Sequence, residues 1–205
     1  VAPSPIYAAI DARSTGVPPE GFSDGESWRA CQSAKGAEST VTAHRTFLLE
    51  QIEAGTQAVQ GLVEHFPAGR WDWQPRPESW SARQNLNHLR NVEGRYLERL
   101  EGVLAEGEYV PAPRPAEEPT SSGETVSETL EQFVALCGRE LELFRGLTEA
   151  QWQQEFDHPT LWGVISVEFW VERTVTHGSE HVQALWQLRH LAAIPPERLA
   201  QLALS

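Results

Sequence analysis

Basic side chains are scarce in this chain: 16 Lys and Arg stand against 29 Asp and Glu, for a formal net charge of -13. Such a field repels nucleic acid unless a local basic patch overrides it. The arginines are scattered and mostly flanked by Glu, so no such patch forms. Nucleic acid and anionic membrane surfaces are therefore poor partners. Only two cysteines occur, Cys31 and Cys137, far apart in sequence. That excludes a disulfide framework and a Cys-type zinc site, and makes a reducing cytoplasm the expected compartment. Methionine is missing altogether, which suggests a processed or trimmed start. The first residues lack a charged segment followed by an apolar one, so no secretory signal is expected. No apolar run approaches the length that spans a bilayer. No alternating apolar–polar stretch of useful length is present either, which argues against a sheet protein.

What the chain does contain is helical periodicity. Residues 1–39 are rich in Pro, Gly, Ser and Ala and read as an irregular N-terminal arm or a disordered tail. From Val41 to Phe66 the residues Leu48, Ile52, Val59, Leu62 and Phe66 follow three-four spacing, with Gly55 filling a gap in the stripe. Three prolines and a glycine in "FPAGRWDWQPRPESW" end that helix. "SARQ" at 81–84 fits a capping box, with Ser81 as cap and Gln84 reaching back. The second helix then runs to about residue 105 on Leu86, Leu89, Val92, Tyr96, Leu100 and Val103. A Pro-rich acidic connection of nearly twenty residues follows, long enough to cross between distant elements. A third helix over about 125–146 carries Val126, Leu130, Phe133, Cys137, Leu141 and Phe144 on one face. Cys137 is thus expected to be a small core residue. A fourth helix is expected over about 167–191. Four helices of this length give an all-α four-helix bundle over residues 40–205, with a crossover between the second and third.

The seven histidines lie at 44, 65, 88, 158, 177, 181 and 190. An H-x-x-x-H pair arises by chance in roughly one such chain in five, so His177 and His181 alone carry little. Their setting carries more. Trp170, Thr174, His177, His181, Leu185 and Leu188 form one face of the fourth helix. Two adjacent imidazoles on an inward face need partners for their nitrogens, and protonating both sets like charges together. A metal ion resolves this by taking a lone pair from each ring, and a histidine pair at i,i+4 is a metal-binding geometry. The third ligand must come from another helix. His88 shares a row with Val92 and Tyr96 and is the candidate. His44 extends the stripe of the first helix but sits near its start, where a helix-end or surface role is expected. His65, His158 and His190 are expected at the surface. The residues alone leave a metal site and a satisfied core cluster both open.

The segments "ESWSARQNLNHLRNVEGRYL" and "TVTHGSEHVQALWQL" resemble the DinB/YfiT-like superfamily of helical bundles, which includes thiol-dependent transferases. The order, with one His on the second helix and two on the fourth before a Gln, is that family's arrangement. The resemblance covers roughly residues 40–192. It implies a metal triad of His88, His177 and His181 holding a divalent ion, zinc or nickel foremost. It also implies a small-molecule substrate, with a low-molecular-weight thiol among the candidates, and association as a homodimer. Surplus aromatics, eight Trp in all, fit an interface as well.

Three neutral nitrogen ligands leave a divalent ion with an open position, the catalytic pattern rather than the closed structural one. Such an ion activates water or a thiol, or polarises a carbonyl, which fits a hydrolase or a thiol-dependent transferase. Gln84, Asn91, Thr174 and Glu180 lie within helical reach of the triad and could orient an imidazole N–H. Glu180 is the candidate general base, and Gln183 is exposed by phase. The alternative is a non-catalytic bundle whose metal is structural, or which binds a small ligand.

Overall fold

The computed structural model describes residues 34–107, 109, 124–158, 163–195 and 197–198, with side chains from Val41 onward. Two compact units are distinguished, Val1–Arg45 and Thr46–Ser205, and the core described below belongs to the second. The helices are α1 (Ala34–Glu64), α2 (Ala82–Glu106), α3 (Val126–Gly146), the single turn α4 (Glu149–Trp152) and α5 (Val167–Ala192). Between α4 and α5 lie two short strands, β1 (Glu155–His158) and β2 (Gly163–Ser166).

The four long helices match the four apolar stripes. Helix α1 starts earlier than its stripe, because Ala34, Lys35, Ala37 and Glu38 are strong helix formers that need no apolar face to extend the coil. Residues 34–39, expected in the arm, are therefore helical; the rest of the arm lies outside the described residues. The capping box at the start of α2 is formed as expected. Ser81 Oγ accepts from the Gln84 N–H at 3.2 Å, and Gln84 Oε1 accepts from the Ser81 N–H at 2.8 Å. Thr125 and Glu128 repeat the device on α3. Gly107 closes α2 in the left-handed region (φ 76°), its N–H bonded to the Val103 carbonyl, a conformation that favours glycine.

Cross-helix contacts give the topology. Asn87 pairs with Thr129, Arg90 with Gln132 and Arg139 with Glu101, so numbers rise together and α2 and α3 run parallel. Asn85 meets His181, Glu93 meets His177 and Tyr96 meets Trp170, so numbers run oppositely and α2 and α5 are antiparallel. Parallel neighbours require the chain to travel back the length of the bundle between α2 and α3. The long connection is thus the expected crossover.

The strands are a correction. The alternation Glu155 out, Phe156 in, Asp157 out, His158 in lasts only four residues, too short to stand out against helical signals. The pair is antiparallel, with Phe156 opposite Ile165, and both side chains join the core. His158, expected in a surface turn, is instead buried at the end of β1. Its ring packs against Tyr109 and Trp170, at centroid distances of 4.8 and 5.6 Å.

The core is split in two. One cluster gathers Leu48, Ile52, Leu100, Val103, Leu141, Phe144, Trp170 and Val171 with the hairpin. The other gathers Val59, Phe66, Leu86, Leu89, Phe133, Cys137, Leu185 and Leu188. Between them each long helix contributes polar side chains: Thr56, Glu93, Glu140, and Thr174 with His177. Glu93, Glu140, Thr174 and His177 are all buried. A polar layer thus crosses the bundle at mid-height, and the histidines sit on it.

Candidate metal centre

His88, His177 and His181 come together as the sequence predicts, with one ligand atom from each inside a 4.8 Å sphere of mutual distances. His88 is delivered by α2, and the other two by successive turns of α5. His177 is buried; His88 and His181 are half-buried.

Each α5 ring is held by its Nδ1. His177 Nδ1 lies 3.4 Å from Glu93 Oε1. A carboxylate only accepts, so this nitrogen carries the proton and leaves Nε2 with its lone pair. His181 Nδ1 lies 3.1 Å from Asn85 Oδ1. The orientation of that amide is decided by its other end: Asn85 Nδ2 donates to the Ser81 carbonyl at 2.9 Å. Oδ1 therefore faces His181, which must donate from Nδ1 and keep its Nε2 lone pair. The helix cap and the site are one hydrogen-bonded assembly.

The ligand atoms of the triad approach one another. His177 Nε2 and His88 Nε2 are 3.4 Å apart. A tetrahedral ion with bonds of about 2.0–2.1 Å separates its ligand nitrogens by about 3.3–3.4 Å. The donor set, the α5 tautomers and the His177–His88 spacing fit a divalent ion. Among the described residues the group holds three ligand-type side chains, which leaves a four-coordinate ion one position for a solvent or substrate ligand.

Trp80, 40 % exposed, forms a wall of the site. Its ring centroid is 4.7 Å from that of His88 and 6.3 Å from that of His181, nearly parallel to the latter. Tyr96 lies on the other side, 5.8 Å from His177 between ring centroids. Burial raises its phenol pKa, and the nearby Arg173 offsets part of the rise.

The expected orienting residues are placed differently. Gln84 spends its carbonyl on the cap and on Gln74, at 3.1 Å, rather than on a histidine. Thr174 donates back to the Trp170 carbonyl at 3.3 Å. Asn91 is half-buried on α2. Glu180 is exposed and faces Arg173 at 3.5 Å. The side chains that orient the rings, Glu93 and Asn85, were passed over in the sequence. Glu93 carried a signal: it lies four residues from Leu89 and four from Leu97, an acid at a core phase. His44 is half-buried well inside α1 rather than at a helix end, and the triad is complete without it. His65 and His190 are exposed, as expected. Cys137 is a buried core thiol whose pKa is pushed up by burial first and then by Glu140.

The family model described as the DinB superfamily matches residues 51–185. No curated protein matches the chain. Among solved structures, the chain is similar to YfiT from Bacillus subtilis, described as a probable metal-dependent hydrolase with an unusual four-helix bundle topology. The TM-score is 0.64 at 22 % identity, covering 87 % of this chain and 94 % of that one.

Proposed function

The chain belongs to the DinB superfamily, and on that footing we propose that it is a divalent-metal-dependent enzyme acting on a small molecule, as a hydrolase or a thiol-dependent transferase. The observation that carries the reading is the pair of α5 rings held by Glu93 and Asn85, with His177 Nε2 3.4 Å from His88 Nε2 and one ligand atom of each histidine within 4.8 Å of the others. His88, His177 and His181 would hold the ion, zinc or nickel, both of which suit imidazole. A bound ion would supply Lewis acidity toward a water, a thiol or a carbonyl.

The protein's own groups do the rest. Glu93 holds a proton on His177 Nδ1, and Asn85 holds one on His181 Nδ1, so neither ring rotates out of register. The half-exposed Trp80 offers a flat apolar face to a substrate at the mouth of the site. Glu180, on the exposed side beside Arg173, is the proposed proton acceptor for a substrate bound at the rim. The strongly acidic chain favours neutral or cationic substrates.

Among the described residues no helix is long and apolar enough to cross a membrane, and we place the protein in the reducing cytoplasm on its sparse cysteine content. The proposed partner beyond substrate is a second copy of the chain. The Trp surplus points less strongly there than composition suggests. Trp152 and Trp170 are core residues, Trp71 and Trp73 pack half-buried against the core and Trp80 belongs to the site, which among the described residues leaves Trp186, 52 % exposed.

The test is metal analysis of untagged protein, then titration of the cobalt-loaded form with small thiols. A sulfur-to-metal charge-transfer band supports a thiol-accepting position. A spectrum indifferent to thiols, azide and pH means a closed coordination sphere and a structural metal.

A further inference from the structure

Behind His177 the polar layer holds a second carboxyl group. Glu140, on α3, is 1 % exposed and Glu93 is 2 % exposed. Among the described residues neither oxygen of Glu140 finds a hydrogen-bond donor, and neither does Glu93 Oε2. Both residues line a cavity of about 30 Å³ together with Thr56, Cys137 and Thr174, and among the described residues no Lys or Arg lines it. Space of that size admits one or two water molecules at most.

Two carboxylates side by side in such surroundings cannot both be charged without a cation. Glu93 Oε1 is already committed to His177 Nδ1. A proton on one of the two acids removes the repulsion and supplies a donor to the other. Burial, and next the neighbouring Glu93, push the Glu140 pKa well above the carboxylate range, so Glu140 is the acid. The three groups fall into a line: Glu140, then Glu93, then His177, whose Nε2 lies 3.4 Å from His88 Nε2.

We propose that Glu140 is a positioning residue of the histidine centre: as a neutral carboxylic acid it donates to Glu93, and so holds Glu93 as the acceptor for His177 Nδ1–H. The inference rests on the metal reading of the triad. It assigns a role to a buried acid that touches neither metal ligand nor substrate. It also explains why an acid occupies the core phase between Cys137 and Phe144, where leucine would pack without an unpaired polar group.

The experiment uses the full chain. Zinc affinity is measured by competition with a chromophoric chelator for wild type, Glu140→Gln and Glu140→Leu. Gln keeps a donor toward Glu93, and Leu keeps the volume but not the donor. Expected are wild-type affinity for Gln and a loss of about 10-fold for Leu, the lower end of what outer partners of metal ligands contribute. Infrared spectra of the metal-free protein at neutral pH should show a protonated carboxyl band that Glu140→Gln removes. Wild-type zinc affinity in a folded Glu140→Leu overturns the proposal. So does a Gln variant as weak as the Leu one, or the absence of the carboxyl band from wild type. If the Leu variant does not fold, the infrared band decides. Failure of the metal reading shows separately, as full zinc binding by His88→Ala, while the band still reports on Glu140.

Discussion

His177 Nδ1 and Glu93 Oε1 lie 3.4 Å apart, joining α5 to α2 inside the bundle, and both side chains are less than one-tenth exposed. A charged group removed from water to this degree is retained only with a partner. The pair couples the packing of two helices to the orientation of a ligand ring. Removing Glu93's acceptor should therefore act on metal binding. Glu93→Leu should weaken zinc affinity about 10- to 100-fold, whereas Glu180→Leu, exposed on the rim, should leave it unchanged. Chelator competition on the two variants separates them, and equal losses would contradict the assignment of Glu93.

His88→Ala should abolish stoichiometric zinc or nickel binding. Helix content should stay near wild type, because His88 is half-buried and the apolar clusters on either side of the site do not include it. Metal analysis and circular dichroism test this together. A variant that keeps full occupancy would dismiss the triad.

His158 gives the fold a pH dependence of predictable sign. Burial, then the Arg99 charge, hold its pKa below the ordinary 6.5, and Asp157 offsets part of this. The folded protein therefore binds this proton less readily than the unfolded chain. The stabilisation from neutral His158 is complete above about pH 6.5 and is lost as pH falls through the folded-state value. Thermal unfolding of His158→Phe should show a shallower loss of Tm below about pH 6.5 than wild type. Parallel curves would mean that the imidazole titrates alike in both states.

Ser81→Ala removes the side-chain half of the cap but leaves the Ser81 carbonyl that holds Asn85. Stability should fall by about 1 kcal/mol, with zinc affinity little changed. Denaturant unfolding and chelator competition on the same preparation check both halves. A large affinity loss would show that the cap positions the site through more than its backbone.

Trp186→Glu should shift a homodimer toward monomer, read as mass by light scattering at micromolar concentration. Wild type that is already monomeric there would remove the homodimer from the proposal.

The sequence by itself determined the four helices, the cap at Ser81, the crossover and the histidines that meet. Those features are local or nearly so: three-four spacing, Gly and Pro boundaries, a polar connection of a given length, and rows along a single helix face. Even Glu93 announced itself as an acid at a core phase, although the stripe was read through Val92 and Tyr96. Leu97, one residue on, is the more deeply buried. Partner identity was not legible. Whether Glu93 meets His177, Asn85 meets His181 or Glu140 meets Glu93 depends on how far α2, α3 and α5 slide along one another. That offset is settled only when whole helices pack. The hairpin was hidden for the same reason: Phe156 and Ile165 are four-residue strand fragments until the core beneath them gives both side chains somewhere to go. His158 was misplaced with them, because a histidine in a turn-like segment becomes a buried one only when Tyr109 and Trp170 close over it.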